Sequence, residues 1–383
     1  MTDLLQGVRV IEFCHVAAGP FCGMLFADMG ADVIKVESPD GDSMRQWPPL
    51  RNGFSENFAS VNRNKRSVVL DLKSEAGKSA ARALIRSADI VIENNRPGVM
   101  DRLGLGYASF KEEKPDLIYC SISAFGQSGP RVNEGGFDLT IQALSGIMSV
   151  TGEPESAPVK CGVPVSDFSS GLYAAFAVMS LLHAVRQGRA QGQHIDIAML
   201  GASLGIAALQ TSEYFGSGRD PARLGSAHPR NAPYQAFRAA DGYFVMAAGN
   251  QKLWRSVCEV IDRSNLFDDP RFATTALRAQ NQAALCELLE EIFTDRSVAS
   301  LIEAFTDVGV PCGPVNSYAN ALTDPQVQHM GWVRDVDLPS GERVRSFGSP
   351  IMMSGKSAEI RRGPPALGEH TGEVLREIGY ANN

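Results

Sequence analysis

The sequence predicts an α/β fold with an open, mostly parallel sheet, followed by a smaller α+β domain. Over the first 200 positions, short runs of apolar and β-branched residues alternate with helical segments of about ten or more residues. This alternation is typical of βαβ units, whose strands are parallel. After residue 200 a hairpin signal and three helical segments replace it, which indicates a second domain. We therefore expect a large Rossmann-like domain and a small one.

The predicted strands of the large domain are short and rich in Val and Ile. They span 8–13, 32–37, 67–72, 90–93, 116–122 and 194–199. Helices are predicted over 19–27, 74–88, 138–148 and 169–186, and Pro20 suits a first helical position. Segment 163–167 is expected to be extended.

The predicted small domain begins with two strands, 234–237 and 243–247, around the hairpin signal Asp241-Gly242. Helices near 252–262, 280–293 and 297–307 follow. A hairpin around 339–341 and a helix near 371–378 complete the prediction. The expected domain bounds are 1–200 for the first part of the large domain, 225–320 for the small domain, and 321–383 for a linker and return to the large domain.

Composition argues against several classes of function. The net charge is -7 and no long Lys/Arg run is present, so we expect no nucleic-acid partner. No apolar run reaches about 18 residues, and the first residues lack the features of a signal peptide, so we expect a cytoplasmic protein without a membrane partner. The seven cysteines form no Cys-x-x-Cys pair and the six histidines no ligand pair, so we expect neither disulfides nor a metal.

The first βα turn, 15–23, could be a dinucleotide-binding loop, because a strand precedes it. The glycine fingerprint is absent, however, and Pro20 removes a backbone N–H where a pyrophosphate needs one. The loop still lies at the carboxyl end of a strand, where open α/β sheets bind ligands.

Two further segments admit two interpretations each. Residues 93–98 are either a simple turn or a polar clamp, in which Asn94 and Asn95 supply amides while Arg96 and Arg102 bind phosphate. Asp167 is either a helix N-cap or a nucleophilic carboxylate near a helix N-terminus. With an unperturbed pKa of about 3.9 it would be ionised at neutral pH without a base.

Other nucleophile and phosphate motifs are missing. No Gly-x-Ser-x-Gly elbow and no Walker loop is present, which argues against a serine hydrolase and a P-loop enzyme. His15 and His370 are isolated in sequence, so a structural role is expected for each.

Several blocks in order make the chain resemble the class III coenzyme A transferases, the family of formyl-CoA and carnitine CoA transferases that also includes α-methylacyl-CoA racemase. The blocks are 5–13, 17–20, 30–37, 64–67, 94–98 and 367–371. The resemblance implies that Asp167 is the covalent nucleophile, that a coenzyme A thioester is the substrate with no prosthetic group, and that two chains interlock in a homodimer. It implies coenzyme A contacts at Ala17, Ala18, Leu70, Asp71, Leu72, Lys73, Asn94, Asn95, Arg96, Arg102, Glu134, Gly135, Gly136 and Phe137.

Departures from the family narrow the expectation. Ala17 replaces the Gln of oxalate-using members, Ser38 replaces an Arg, and no tetraglycine lid precedes 234–237. We therefore expect a small dicarboxylate of the succinate type rather than oxalate. Phe137 stands where the racemases carry a His, so one of the two proton carriers that racemisation needs is missing. Asp138 is expected to cap its own helix. A racemase or epimerase and a non-catalytic acyl-CoA binding protein remain the alternatives.

Overall fold

The computed structural model describes residues 3–380 and divides into two compact units. The first unit comprises residues up to 147, then 160–219, then those from 325 onward. Its centre is a sheet of six parallel strands: β1 (Arg9–Phe13), β2 (Asp32–Glu37), β3 (Lys65–Val69), β4 (Ile90–Glu93), β5 (Ile118–Ser123) and β6 (His194–Ala198). Their order across the sheet is β3-β2-β1-β4-β5-β6. The predicted α/β class is confirmed.

Strands β1, β2, β4 and β5 are buried on both faces, as expected of parallel strands covered by helices, whereas the edge strand β6 is partly exposed. Alternate side chains of β1 point to opposite faces, so Val10 joins one apolar cluster and Ile11 the other. The first cluster includes residues of helices Ala18–Asp28 and Val165–Arg186; the second includes residues of Glu75–Ser87 and Thr371–Glu377. The strand order reverses between β1 and β4, so the loops that follow these two strands meet at the switch point where such sheets bind ligands.

The remaining elements of the first unit are short. Its other helices are Glu56–Asn62, Val99–Arg102, Asp138–Leu144, Met199–Ile206, Ala208–Ser217 and Pro325–His329, with 3-10 turns at Ser43–Gln46 and Tyr107–Ser109. Two-stranded hairpins pair Leu50–Arg51 with Phe54–Ser55, Val333–Asp337 with Arg343–Phe347, and Met352–Met353 with Lys356–Ser357. The hairpin predicted around 339–341 is thereby confirmed.

The second unit comprises residues 148–159 and 220–324. Strands Tyr234–Ala239, Gly242–Ala247 and Cys312–Pro314 form an antiparallel sheet. Its helices are Gln251–Val260, Thr275–Gln280, Gln282–Phe293, Val298–Asp307 and Tyr318–Thr323, with a 3-10 turn at Ser264–Phe267. Gly242 pairs with Ala239, so the two-residue turn is Ala240-Asp241, one position earlier than the sequence predicts. Phe237, Phe244, Phe293 and Phe305 pack ring against ring in its core.

Three of the differences between predicted and observed elements have a clear physical cause. Segment 163–167 is not extended, because the long helix already begins at Val165, directly after Pro164. The helix predicted over 138–148 is interrupted at Gly146, whose φ of 83 ends it, and Ile147–Val150 forms a separate turn. The strand predicted over 67–72 runs from Lys65 to Val69, because its charged first residue is buried against a carboxylate instead of lying in solvent.

The long helix, Val165–Arg186, has an unusual surface. Among the described residues it is the one helix long and apolar enough to cross a membrane by length and composition, a test that core helices of soluble proteins also pass. Only a third of its most apolar window is buried, and Phe176 is 74% exposed. An apolar face of this helix is therefore uncovered in the single chain.

Candidate active site

The loop after β1, residues 14–20, is the first loop of the site. It is held by the amide of Asn94, which follows β4. The backbone N–H of His15 donates to Asn94 Oδ1 at 2.9 Å, and Asn94 Nδ2 donates to the His15 carbonyl at 2.8 Å. Asn95 Nδ2 donates to the carbonyl of Phe13 and to Glu93. Both amides of the predicted clamp therefore fasten the two switch-point loops to each other.

Asp167 lies in the first turn of the long helix and lines a cavity of about 240 Å³ at this switch point. The expectation that its pKa is unperturbed is wrong. Burial of the carboxyl and the nearby Asp138 carboxylate raise the pKa of Asp167 to about 7. Removal from water outweighs the helix N-terminus, which would favour the anion. At neutral pH the site thus holds a mixture of protonated and ionised Asp167.

Asp138 caps a helix, but not the one that the sequence indicates. It is the first residue of its own helix, and its Oδ1 accepts a hydrogen bond from the backbone N–H of Ser166 at 3.0 Å. Ser166 belongs to the first turn of the long helix, where backbone N–H groups have no partner within the helix. Asp138 therefore caps the helix that carries Asp167, and the two carboxyl groups become neighbours.

Glycine at position 171 lets the long helix approach the first loop. A Cβ there would lie 2.8 Å from the Ala18 carbonyl oxygen and 3.0 Å from the ring of Phe21. Phe21 also packs edge to face on Phe168, with ring centroids 4.8 Å apart. These contacts place the turn that bears Asp167 directly against the N-terminus of helix Ala18–Asp28.

The first loop supplies hydrogen-bond donors to the cavity. Ala17 and Ala18 line it, and their backbone N–H groups make no hydrogen bond to any of residues 3–380. They lie at the start of a helix, where the backbone favours negative charge. An oxyanion formed at Asp167 can therefore be stabilised from this side of the cavity.

A second cavity of about 280 Å³ adjoins the first. It is lined by Leu70, Asp71, Leu72 and Lys73 after β3, and by Pro39 and Asp40 after β2. His15 and Asn95 line both cavities. Together the cavities form a path along the carboxyl ends of the strands, from polar loops to the carboxyl of Asp167.

Most of the predicted site residues come together around these two cavities. The first cavity brings Asp167 together with Ala17, Ala18, Asn94, Asn95, Arg96, Glu134, Gly135, Gly136 and Phe137. Arg96 lies against Gly135, where a Cβ would be 3.0 Å from Arg96 Nη2. Glu134 is bound by Arg131, and Phe137 is 77% exposed. Arg102 lines neither cavity.

The sequence did not reveal a buried ion network beneath the first loop. Glu12, Lys35, Asp42 and Lys65 are each at most 1% exposed and are paired with one another. The signal that could have found them is a charged residue within an otherwise apolar strand, as at Glu12 and Lys35, because such a position is buried only with a partner. No group of three metal-ligating side chains occurs in the part of the chain that the structure describes.

The chain is similar to known proteins along almost its whole length. The model of CoA-transferase family III matches residues 5–371. A succinate–glutarate CoA-transferase of Agrobacterium fabrum is 40% identical, over 99% of this chain and 98% of its own. An acetyl-CoA:oxalate CoA-transferase of Acetobacter aceti is 37% identical, over 97% and 95% respectively.

Among solved structures, a CAIB/BAIF family protein from Brucella suis superposes with a TM-score of 0.87 at 40% identity, covering 99% of this chain and all of its own. The family match thus spans both units and every residue of the candidate site. The chain belongs to CoA-transferase family III and is an enzyme that transfers coenzyme A.

Proposed function

We propose that the enzyme moves coenzyme A from an acyl-CoA to a small dicarboxylate of the succinate or glutarate type, through a covalent intermediate on Asp167. The observation that carries this proposal is the partly buried carboxyl of Asp167 in a cavity lined by Ala17 and Ala18, whose N–H groups have no hydrogen-bond partner among residues 3–380. A nucleophile and donors for an oxyanion are the two parts that acyl transfer needs.

The proposed reaction has four steps, and each step releases one leaving group as it forms one bond. Ionised Asp167 attacks the thioester carbonyl, forms a mixed anhydride and releases coenzyme A thiolate. The thiolate attacks the aspartyl carbonyl, forms an aspartyl thioester and releases the donor acid. The acceptor carboxylate attacks this thioester, forms a second anhydride and releases the thiolate again. The thiolate finally attacks the acceptor's carbonyl, which yields the new acyl-CoA and restores Asp167.

The raised pKa of Asp167 supports a nucleophilic role. Its causes are burial and the Asp138 carboxylate, both of which disfavour the anion. An anion that is poorly solvated gains more on forming a covalent bond to a carbonyl carbon than a solvated one. A carboxylate kept only as a helix cap gains nothing from such a shift, because capping is strongest for the fully ionised group.

The proposed acceptor class rests on relatives and on the lining of the cavity. The Agrobacterium relative acts on succinate and glutarate by its name. In this chain Ala17 leaves a methyl group where oxalate-using members place an amide, so a longer acid fits the proposal better than oxalate. Exchanging a hydrogen-bonding side chain for a methyl group changes discrimination strongly at a buried site.

Coenzyme A is proposed to lie along the two adjoining cavities. Its nucleotide end would contact Leu70, Asp71, Leu72 and Lys73, and its thiol end would approach Asp167 past His15 and Asn95. Arg96 and Arg102 are the proposed phosphate contacts, since guanidinium groups bind phosphate through paired hydrogen bonds. The segment from Glu134 to Phe137 would cover the thioester.

We also propose the homodimer that the family resemblance implies. The long helix exposes Leu172 and Phe176, and Leu209 and Phe215 on helix Ala208–Ser217 are 63% and 82% exposed. Apolar surface of this kind marks a protein contact. Sedimentation should give the mass of two chains at micromolar concentration; a stable monomer would contradict the dimer. All seven cysteines are free thiols, which fits the proposed cytoplasmic location.

The decisive experiment measures the transfer of labelled coenzyme A from succinyl-CoA to glutarate. Wild-type protein should form glutaryl-CoA, and hydroxylamine added during turnover should leave a hydroxamate on Asp167. Asp167→Ala should abolish both signals, whereas Asp89→Asn, a partly buried aspartate before β4 at the far end of the sheet, should retain them. Deuterium exchange at the α-carbon of a 2-methylacyl-CoA without any transfer would instead favour the racemase alternative.

A further inference from the structure

Val16 has a backbone conformation that its side chain disfavours. Its φ is 64, in the left-handed region, which a β-branched residue rarely adopts. Val16 lies between His15, which Asn94 holds, and Ala17, which lines the cavity together with Asp167. Something outside the loop must therefore stabilise this conformation, because the side chain of Val16 does not.

Asp42 supplies that stabilisation. The backbone N–H of Val16 donates to both carboxylate oxygens of Asp42, each at 3.2 Å. Asp42 is 1% exposed, and the ammonium of Lys35 lies 3.0 Å from its Oδ2. Although burial alone would raise the pKa of Asp42, Lys35 keeps it below its usual range, so the carboxylate stays ionised.

The network behind Asp42 ties both ends of the same loop. Lys35 Nζ donates to the Cys14 carbonyl at 2.6 Å and to Glu12 Oε1 at 3.2 Å, in addition to its contact with Asp42. Lys65 Nζ donates to Glu12 Oε2 at 2.8 Å, to the Pro20 carbonyl at 2.7 Å and to Asn62 at 2.9 Å.

An ammonium group has three N–H bonds, so neither lysine has a donor to spare. Two cations face two carboxylates, and the buried network is neutral. Glu12 needs the room that glycine leaves at position 23, since a Cβ there would collide with Glu12 Oε2. None of the four charged side chains of the network lines either cavity.

We propose that Asp42 is a positioning residue of the transferase, which holds the left-handed turn at Val16 and thereby aims the N–H groups of Ala17 and Ala18 into the cavity of Asp167. The inference rests on the proposed function, because it concerns the stabilisation of oxyanions at Asp167. Asp42 itself lines neither cavity. Its effect is expected on the rate of acyl transfer more than on the binding of coenzyme A.

The test compares Asp42→Asn with Asp28→Asn in the full-length protein. Asp28 is as buried as Asp42 and binds Arg63, with contacts of 2.6 and 3.0 Å, but it makes no hydrogen bond to the loop from 14 to 20. We expect Asp42→Asn to lower kcat by about 10- to 100-fold, because displaced oxyanion donors act in the transition state. KM for succinyl-CoA should change by less than about threefold, and Asp28→Asn should leave kcat within about twofold.

Hydrogen exchange of a peptide covering residues 14–21 gives a measure that does not depend on activity. Exchange there should accelerate in Asp42→Asn and not in Asp28→Asn. Adding Val16→Gly to Asp42→Asn should recover part of kcat, because glycine adopts the left-handed conformation without support. If Asp42→Asn does not fold, Asp42→Glu keeps the charge but displaces the carboxylate, and it should show the same loss of kcat.

The outcomes separate the two proposals. Equal losses of kcat in Asp42→Asn and Asp28→Asn, or unchanged exchange of residues 14–21 in Asp42→Asn, would overturn the positioning role while wild-type transfer still upholds the function. Absence of transfer in the wild type would overturn the proposed function. In that case faster exchange in Asp42→Asn alone would still establish that Asp42 holds the loop.

Discussion

Replacing Asp167 with asparagine should stabilise the protein in alkaline solution, although it removes the proposed nucleophile. The carboxyl titrates near 3.8 when exposed and near 7 in the folded site, a difference of about 3 pH units. At 1.36 kcal/mol per unit, keeping the folded carboxyl ionised costs about 4 kcal/mol, an upper value because the side chain is only partly buried.

The sign of this effect follows from proton binding. Below about pH 4 the folded and unfolded chains both carry the protonated acid, so the wild type and Asp167→Asn differ little in stability. Between about pH 4 and 7 the unfolded chain loses its proton first, and the free energy of unfolding of the wild type falls as the pH rises. Above about pH 7 the whole cost is present in the wild type and absent in Asp167→Asn.

Denaturation with urea at pH 5, 6, 7 and 8.5 measures this difference directly. The stability gained by Asp167→Asn should grow with pH and level off above about 7. Asp89→Asn serves as the control, because this aspartate lies at the opposite end of the sheet and accepts a hydrogen bond from the Arg9 backbone. A gain that does not vary with pH, or a variant less stable than wild type at pH 8.5, would refute the explanation.

Three further predictions concern catalysis. The rate of transfer at low substrate concentration should rise through about pH 7 as Asp167 ionises. Asp138→Asn should shift the midpoint of this rise to lower pH, because a like charge near Asp167 is removed. An unshifted midpoint would contradict the electrostatic role of Asp138. Gly171→Ala should lower kcat and destabilise the protein by about 1–3 kcal/mol, because its methyl group would meet the backbone oxygen of Ala18. Gly372→Ala is the control, since there is open space around Gly372. In the same thermal-melt and turnover assays it should change neither stability nor kcat. Lys73→Ala should raise KM for succinyl-CoA with little change in kcat, and a fall in kcat alone would show that Lys73 does not bind the nucleotide end.

The parallel sheet was predictable because local and tertiary preferences coincide in it. Strands β2 and β4 carry Val and Ile residues that the flanking helices bury on both faces, and both strands were found at the predicted residues. The start of the long helix was not predictable from its own residues. It depends on Asp138, which lies 28 positions before Ser166 and caps that helix from outside.

The electrostatics of the site were even less accessible from sequence. A lone aspartate gives no indication of its burial, so the pKa of Asp167 could not be anticipated. The buried pairing of Lys35 and Lys65 with Glu12 joins three strands, and it requires the order in which those strands lie. Side chains that act through such long-range contacts are visible only once the chain is folded.

The contacts that hold the first loop are made to its backbone and not to its side chains. Its backbone groups are bound by Asn94, Asp42, Lys35 and Lys65, all of which lie outside the loop. The methyl group of Ala17 has no part in that support, although Ala17 lines the cavity that contains Asp167. This side chain can therefore be exchanged without rebuilding the scaffold that presents it, and under the proposed function such an exchange should change the preferred acid. Position 17 is for this reason the place at which a directed change of acceptor should begin.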